Sequence, residues 1–265
     1  MGLYLTLLFI GMIYSIKLGL GGIYNWVDIM SVIILAISWY SAWMFAVHTN
    51  DITDVKTDSV SNPSRPITSK KLDVIEMREI SYIWLVLSLF GSFSVGYCTF
   101  FLNLVFTAAY YIYSVPPLRL KRVPILSSFL ISIACLSTVL AGFFFLSISK
   151  VAITFPVMFA VGIVTIFTLA VNIRDLKDVA GDKTEGINTL PVLFEKNGRK
   201  IVGILFSLAF LLVPIFLSFY ALYLIAIPAS IVGYILVMRD PYQEKYIFDL
   251  FFVFLVLLVI SYFVL

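Results

Sequence analysis

Two sets of aspartates share one spacing. Asp51, Asp54 and Asp58 follow Asn50 in "TNDITDVKTD", and Asp175, Asp178 and Asp182 stand in "NIRDLKDVAGD". Both read D-x-x-D-x-x-x-D, and steps of three and four residues place three carboxylates on one side of a helix. Carboxylates held that close repel one another unless a cation lies among them. An all-oxygen donor set suits a hard divalent cation such as Mg2+. Arg65, Lys70, Arg119, Lys121, Arg122 and Arg174 lie in the segments around the two sets. With Mg2+ among the carboxylates a diphosphate becomes a good ligand, and the basic side chains can neutralise its outer oxygens. Diphosphate leaving an allylic carbon leaves a carbocation, which aromatic faces such as those of Tyr110 and Tyr113 can stabilise. Most of the 15 Tyr and 24 Phe must nevertheless be packing or interfacial residues.

The elements that position these residues are membrane helices. The chain has 265 residues, 62% hydrophobic and 12% charged, against about 25% charged in a soluble domain. The apolar sequence runs through the whole length, which predicts a polytopic helical membrane protein. Nine spans are expected, over about residues 2–19, 27–48, 80–98, 100–116, 125–147, 151–172, 201–218, 220–238 and 247–265. Little polar sequence separates the third span from the fourth, and "LSFYALY" between the seventh and eighth is either a tight turn or the middle of one long span. Nine spans put 16 of the 18 Lys and Arg on one side, with only Lys17 and Lys150 on the other. The rich side is then cytoplasmic, with the N-terminus and both aspartate sets, and the C-terminus lies opposite. The net charge of +3 is a topology signal, and no RNA, DNA or Walker motif is present. Cys98 and Cys135 fall in apolar spans without metal or disulfide spacing. The first span lacks the basic leader and cleavage site of a signal peptide.

Each aspartate set continues a span and is followed by a basic, proline-marked stretch, "SNPSRPITSKK" in one case and "DKTEGINTLPVLFEKNGRK" in the other. The sets begin 124 residues apart, as in a weak duplication of a four-helix unit with the ninth span added. In "YYIYSVPPLRLKRVP", Pro116 and Pro117 must turn the chain before Arg119 and Lys121. Asp73, Glu76 and Glu79 read as helix-start and surface charges. His48, the only histidine, reads as a packing residue.

The segments "NDITDVKTDSVSNPSRPITSKKL", "YYIYSVPPLRLKRVP" and "NIRDLKDVAGDKTEGINTLP" together resemble the UbiA superfamily of intramembrane prenyltransferases, over about residues 30–200. The resemblance implies one all-α domain over 1–265, with nine transmembrane helices around a central cavity and the aspartate motifs facing each other across it. It also implies Mg2+ as cofactor, a prenyl diphosphate as donor and a lipophilic acceptor within membrane lipids. By position, Asp51, Asp54, Asp58, Asp175, Asp178 and Asp182 would hold the metal. Asn50, Arg65, Arg119, Lys121 and Arg174 would bind the diphosphate. Asp54, Asp175, Asp178, Lys121 and Tyr113 would carry the catalysis, and Ser114 pairs with Tyr113 in the motif. Two departures concern the acceptor side. An Arg-Pro lead before the first span is missing, and Ser127 and Ser128 stand where relatives carry Gly-Asn. The acceptor is open between an aromatic quinone precursor and a glycerol-phosphate ether lipid such as geranylgeranylglyceryl phosphate. The rival from another class is a transporter of a cation or phosphorylated solute, which predicts ionisable groups at mid-membrane. The sequence specifies no protein partner.

Overall fold

The computed structural model describes residues 2–22, 26–148 and 154–264. Lys150, the first three residues of the sixth predicted span and the last residue of the ninth lie outside the described residues. The described chain is helical, without a strand. Its helices are α1 (Gly2–Lys17), α2 (Trp26–Thr53), α3 (Val55–Ser61), α4 (Val74–Val95), α5 (Tyr97–Ser114) and α6 (Leu126–Leu146). They continue with α7 (Val157–Ala170), α8 (Val179–Glu185), α9 (Leu190–Leu193), α10 (Gly198–Phe216), α11 (Tyr223–Met238) and α12 (Glu244–Leu258). Each predicted span overlaps one of the longer helices.

Six segments are long and apolar enough to cross a bilayer among the described residues: Asp28–Thr53, Leu126–Leu146, Val157–Leu176, Glu195–Phe216, Tyr220–Met238 and Glu244–Tyr262. α1 is apolar but shorter. The two doubtful boundaries are both turns. Gly96 separates α4 from α5, and a 3-10 turn over Tyr220–Leu222 separates α10 from α11.

Local chemistry explains the starts and the close contacts. Asp73 caps α4 by accepting from the Ile75 and Glu76 amides, while Glu76 accepts from the Asp73 amide at 2.8 Å. Such a cap contributes about 1 kcal/mol, and it accounts for two of the acidic residues read as helix-start charges. α1 lies against α6 with little between the backbones. A Cβ on Gly142 would stand 1.9 Å from the Leu8 carbonyl oxygen, and one on Gly11 would stand 1.9 Å from that of Val139. In a bilayer, helices gain little from burying apolar surface, so close approach through small residues is a main source of packing energy. α2 and α4 meet through Ser38, Gly91 and the Thr49–Ser81 hydroxyl pair, and Ser88 of α4 donates to Asn103 of α5 at 2.7 Å. The opposite face of α4 exposes Ile83, Val86, Leu87, Phe90 and Phe93, a surface suited to lipid and unsuited to water.

Corresponding helices of the two halves pair alike: α2 packs on α4 as α7 packs on α10, and α4 on α5 as α10 on α11. Across the halves, α1 and α5 both pack on α6, and the short helices α3 and α8, which carry the ends of the two aspartate sets, meet each other.

Candidate active site

The spacing of each set predicts one continuous helix, and the structure corrects this. α2 ends at Thr53 and α3 begins at Val55, with Asp54 between them at φ −108°, ψ 14°. In the second half α7 runs into a 3-10 stretch, Val171–Leu176, and Asp178 stands before α8 at φ −99°, ψ 2°. The middle aspartate of each set thus occupies the bridge region between two helical pieces, a common setting for active-site residues. Asp is a poor interior helix former because its side chain competes for nearby backbone groups, so it is suited to such a junction. Helical bonding still frames both breaks, with Asp58 donating to the Asp54 carbonyl and Asp182 to that of Asp178, each at 2.8 Å.

Two seven-residue helices bring the halves together. Gly181 of α8 donates its amide to Ser61 Oγ of α3 at 3.0 Å. A Cβ on Gly181 would lie 2.6 Å from the Thr57 carbonyl oxygen, so glycine is what lets α8 approach the α3 backbone. One residue beyond α3, Asn62 spends its two amide protons across the gap. Its Nδ2 donates to Asp58 Oδ1 at 2.9 Å and to Asp178 Oδ1 at 2.8 Å. The first and second aspartate sets are therefore one hydrogen-bonded unit. The second set is tied from behind as well: the Tyr242 hydroxyl donates to the Ile173 carbonyl at 2.8 Å, and Lys177 pairs with Glu244 at the start of α12.

The basic residues divide unequally. Arg65 pairs with Asp51 at 2.8 Å. Lys121 and Arg119 both reach Asp54, Arg119 at 3.1 Å. Arg174 and Lys177 have no carboxylate of the two sets as ion-pair partner among the described residues, but border the space between them. The hydrogen bonds follow a pattern. Asp51, Asp54, Asp58 and Asp178 accept through Oδ1 and Asp182 through Oδ2, from Arg65, Lys121 with Arg119, Asn62, Asn62 and Thr189. The second oxygen of each carries no bond from the described residues, and Asp58 Oδ2 is buried without any partner. An orphaned buried carboxylate oxygen is expensive, and such an oxygen, with other carboxylates around the same chamber, is a donor fit for Mg2+. No three of these side chains converge closely enough among the described residues to enclose an ion unaided. That agrees with Mg2+ chemistry, in which one or two carboxylates, waters and substrate phosphate oxygens share the coordination.

Charge crowding is visible in the acids beyond the apolar spans. Burial raises the Asp58 carboxyl; the Asn62 hydrogen bond and Arg65 oppose the rise, and Asp54 and Asp178 add to it. Burial pushes Asp182 up to about 7; Lys121 opposes, while Asp178 and Asp54 reinforce. A protonated carboxyl is a much weaker cation ligand than a carboxylate, so protons would compete with a Mg2+ ion held by Asp182. Mg2+ affinity should rise as pH climbs through about 7, with proton release on binding. Calorimetric titration in buffers of different ionisation enthalpy reads both.

Three spaces with shared wall residues lie within this architecture. A polar chamber of about 60 Å3 is bordered by Asp54, Asp58, Asp175, Asp178, Asp182, Lys121 and Thr189. Asn50, Arg65, Tyr113, Arg174 and Lys177 border it and also a larger cavity of about 590 Å3, whose walls include Tyr4, Trp43, Tyr110 and Phe248. Phe167, Phe251 and Leu255 belong both to that cavity and to a third, apolar space between α1, α7, α10 and α12. Asn50 accepts from the Ser114 hydroxyl at 3.1 Å, which leaves its amide donors available at the junction. Tyr113 and Arg174 stand where head and tail spaces meet. Arg119 borders none of the three spaces and sits behind Asp54. Ser128 donates to Asn172 at 2.7 Å, tying α6 to the end of α7.

Asn62, Glu185 and Thr189 are the site residues that the sequence reading missed. Asn62 sits four residues after Asp58, a helical step that could have drawn notice. Nothing in the sequence marks its second partner. Replacing Asn62 with Asp inserts a third carboxylate between Asp58 and Asp178 and should lower activity about tenfold to a hundredfold through like-charge repulsion. Initial-rate assays at fixed Mg2+ check this, and added Mg2+ should recover part of the loss.

With this geometry in view, the known proteins that resemble the chain can be named. A probable homogentisate phytyltransferase 2, chloroplastic, from Oryza sativa subsp. japonica is 32% identical over 158 residues, 55% of this chain and 40% of that protein's length. The digeranylgeranylglyceryl phosphate synthase of Sulfolobus acidocaldarius is 28% identical over 220 residues, 80% of this chain and 76% of the relative. In fold, the chain matches a UbiA homologue from Archaeoglobus fulgidus, solved with GPP and Mg2+, at a TM-score of 0.74 and 17% identity. That match covers 98% of this chain and 94% of the other. The apo UbiA homologue from Aeropyrum pernix K1 matches at a TM-score of 0.73 and 15% identity, over 98% and 96%. The model of the UbiA prenyltransferase family matches residues 3–258, and the chain belongs to that family.

Proposed function

We propose that the protein transfers a prenyl group from a prenyl diphosphate to a lipophilic acceptor and releases diphosphate. One observation carries the reading: a chamber walled by five aspartates shares Asn50, Arg65, Tyr113, Arg174 and Lys177 with a cavity about ten times larger, walled mostly by apolar side chains. A head with several negative oxygens and a hydrocarbon tail fits that pair of spaces.

Mg2+, when bound, neutralises oxygens of the diphosphate and so stabilises the charge that develops on the leaving group. Asp51, Asp54, Asp58, Asp175, Asp178 and Asp182 are the residues that would hold it. Lys121 and Arg174 border the chamber and offer N–H donors to the departing oxygens, and Asn50 and Arg65 orient the diphosphate at the junction. The bond that breaks joins the allylic carbon to the bridging oxygen, and its electron pair leaves with diphosphate. The Tyr113 ring, bordering both spaces, faces the carbon as positive charge develops. The acceptor supplies the electron pair of the new bond, and its proton passes to a carboxylate of the second set. The apolar wall excludes the water that would otherwise capture the cation.

All nine long helices cross the membrane in this reading, as one domain embedded in lipid. Both aspartate sets and the N-terminus face the cytoplasm, and the C-terminus faces the other side, following the distribution of Lys and Arg. The relatives support two acceptor classes, a geranylgeranylglyceryl phosphate and an aromatic ring of the homogentisate type. A matrix of purified protein, Mg2+, prenyl diphosphates of several lengths and both acceptor classes, with products weighed by mass spectrometry, tests the proposal. A product heavier than the acceptor by one prenyl group less one hydrogen supports it. Diphosphate-independent passage of solute across vesicles, with no such product, overturns it in favour of transport.

A further inference from the structure

We propose that Glu185 is a positioning residue of this site, acting through Arg119 to keep Asp54 available to a divalent cation; the inference rests on the reading that Asp54 is a cation ligand. Glu185 ends α8, directly before the left-handed Gly186 (φ 65°) that turns the chain towards Thr189. Its Oε2 accepts from Arg119 Nη2 at 2.8 Å, and both side chains are about nine-tenths buried. The same Nη2 donates to the Thr53 carbonyl and to Asp54 Oδ1, each at 3.1 Å, so one nitrogen serves three acceptors. Arg119 Nε is buried with no partner. Arg119 also holds φ 38°, ψ 55°, a left-handed conformation that residues with side chains rarely adopt. Strained backbone of this kind persists where surrounding contacts over-determine it, and it clusters at functional sites.

Charge explains why the third acceptor matters. Asp54 already receives Lys121, which borders the chamber, on the same Oδ1 that Arg119 reaches. With two cations to itself, a buried carboxylate is over-neutralised and becomes a poor ligand for a third. Glu185 draws part of Arg119 away from Asp54 and fixes the guanidinium behind the carboxylate. Asp54 Oδ2, which no described residue engages, is thereby left to the chamber. The arrangement also joins Asp54 of the first aspartate set, the basic loop and the end of α8 through one guanidinium.

The test is the double-mutant cycle of Glu185→Gln and Arg119→Gln, read by calorimetric titration of Mg2+ into purified protein with inorganic diphosphate present. Glu185→Gln should weaken Mg2+ binding about tenfold, as Arg119 turns fully onto Asp54. The double variant should recover most of that loss, because without Arg119 there is nothing for Glu185 to restrain. Thermal unfolding of each variant accompanies the titration. Should Glu185→Gln not fold, Glu185→Asp takes its place, with a smaller loss expected from its shorter reach. Unchanged Mg2+ affinity in the folded single variant overturns the proposal. A loss that persists in the double variant overturns the route through Arg119 and makes Glu185 a direct ligand or a fold residue. If the unaltered protein binds no Mg2+ with diphosphate, the underlying reading of Asp54 fails first.

Discussion

Asp178→Ala is expected to lower prenyl transfer by at least about a thousandfold while leaving the protein folded. Asp178 pairs with no Lys or Arg among the described residues; its bond is to Asn62, which keeps its other bond to Asp58. Removing the carboxylate therefore strands no buried cation, and the helix break at residue 178 accepts alanine. Asp54 is the contrasting case. Alanine there leaves Lys121 buried without its carboxylate and Arg119 with Glu185 alone, and an unpaired buried charge costs about 3–5 kcal/mol. Activity lost in Asp54→Ala thus mixes catalysis with instability, and Asp54→Asn is the cleaner partner. Transfer rates and thermal unfolding should be measured together. A tenth or more of normal activity in both Asp178→Ala and Asp54→Asn would remove the aspartates from the reaction.

Gly181→Val should be nearly as damaging, through distance alone. A Cβ at this position would meet the Thr57 carbonyl at 2.6 Å, with Ser61 Oγ and Thr57 Cγ2 at 2.7 Å. Backbone is among the obstacles, so α3 and α8 must move apart and the Gly181–Ser61 bond breaks. Overpacking of this sort costs about 1–3 kcal/mol. Function should suffer more than stability, because the same movement draws Asp178 away from Asn62 and opens the ring of carboxylates. A loss of at least about a hundredfold in transfer is expected, since displacements near 1 Å have effects of that size. Gly181→Ala should show a milder version. Normal Mg2+-dependent rates in Gly181→Val would mean that the α3–α8 contact is not what assembles the site.

The two aspartate sets stood out in the sequence because carboxylates are rare in an apolar chain and their spacing repeats, whereas Arg65, Arg174 and Tyr113 were picked only by their nearness to those sets and by the family resemblance. The membrane helices were legible as the segments between the charges. The breaks at Asp54 and Asp178 were not. A continuous helix and two helical pieces give the same steps of three and four, and only backbone angles separate them. Arg119 illustrates a different limit. Its place beside a proline turn marks it as special, but its direction, behind Asp54 and onto Glu185, depends on a left-handed backbone that no neighbour announces. Asn62, Glu185 and Thr189 act through partners elsewhere in the fold, and single polar residues in a polar loop carry no periodicity to betray them. Within "NIRDLKDVAGD" the glycine before Asp182 is the residue that α3 presses against, although the spacing of the aspartates says nothing of it.

The bond from Asn62 to Asp178 closes a loop of 116 residues. Contacts that distant in sequence form late, after the intervening chain has lost its freedom. During synthesis the first three aspartates leave the ribosome with α3, but their counterparts follow only after four more long helices, α4 to α7, have been made. Until then, on the proposed reading of the site, the nascent protein holds half of its carboxylate donors. A chain cut short before α8 would therefore carry only the first of the two carboxylate sets, and it should be inert however well its first helices have packed.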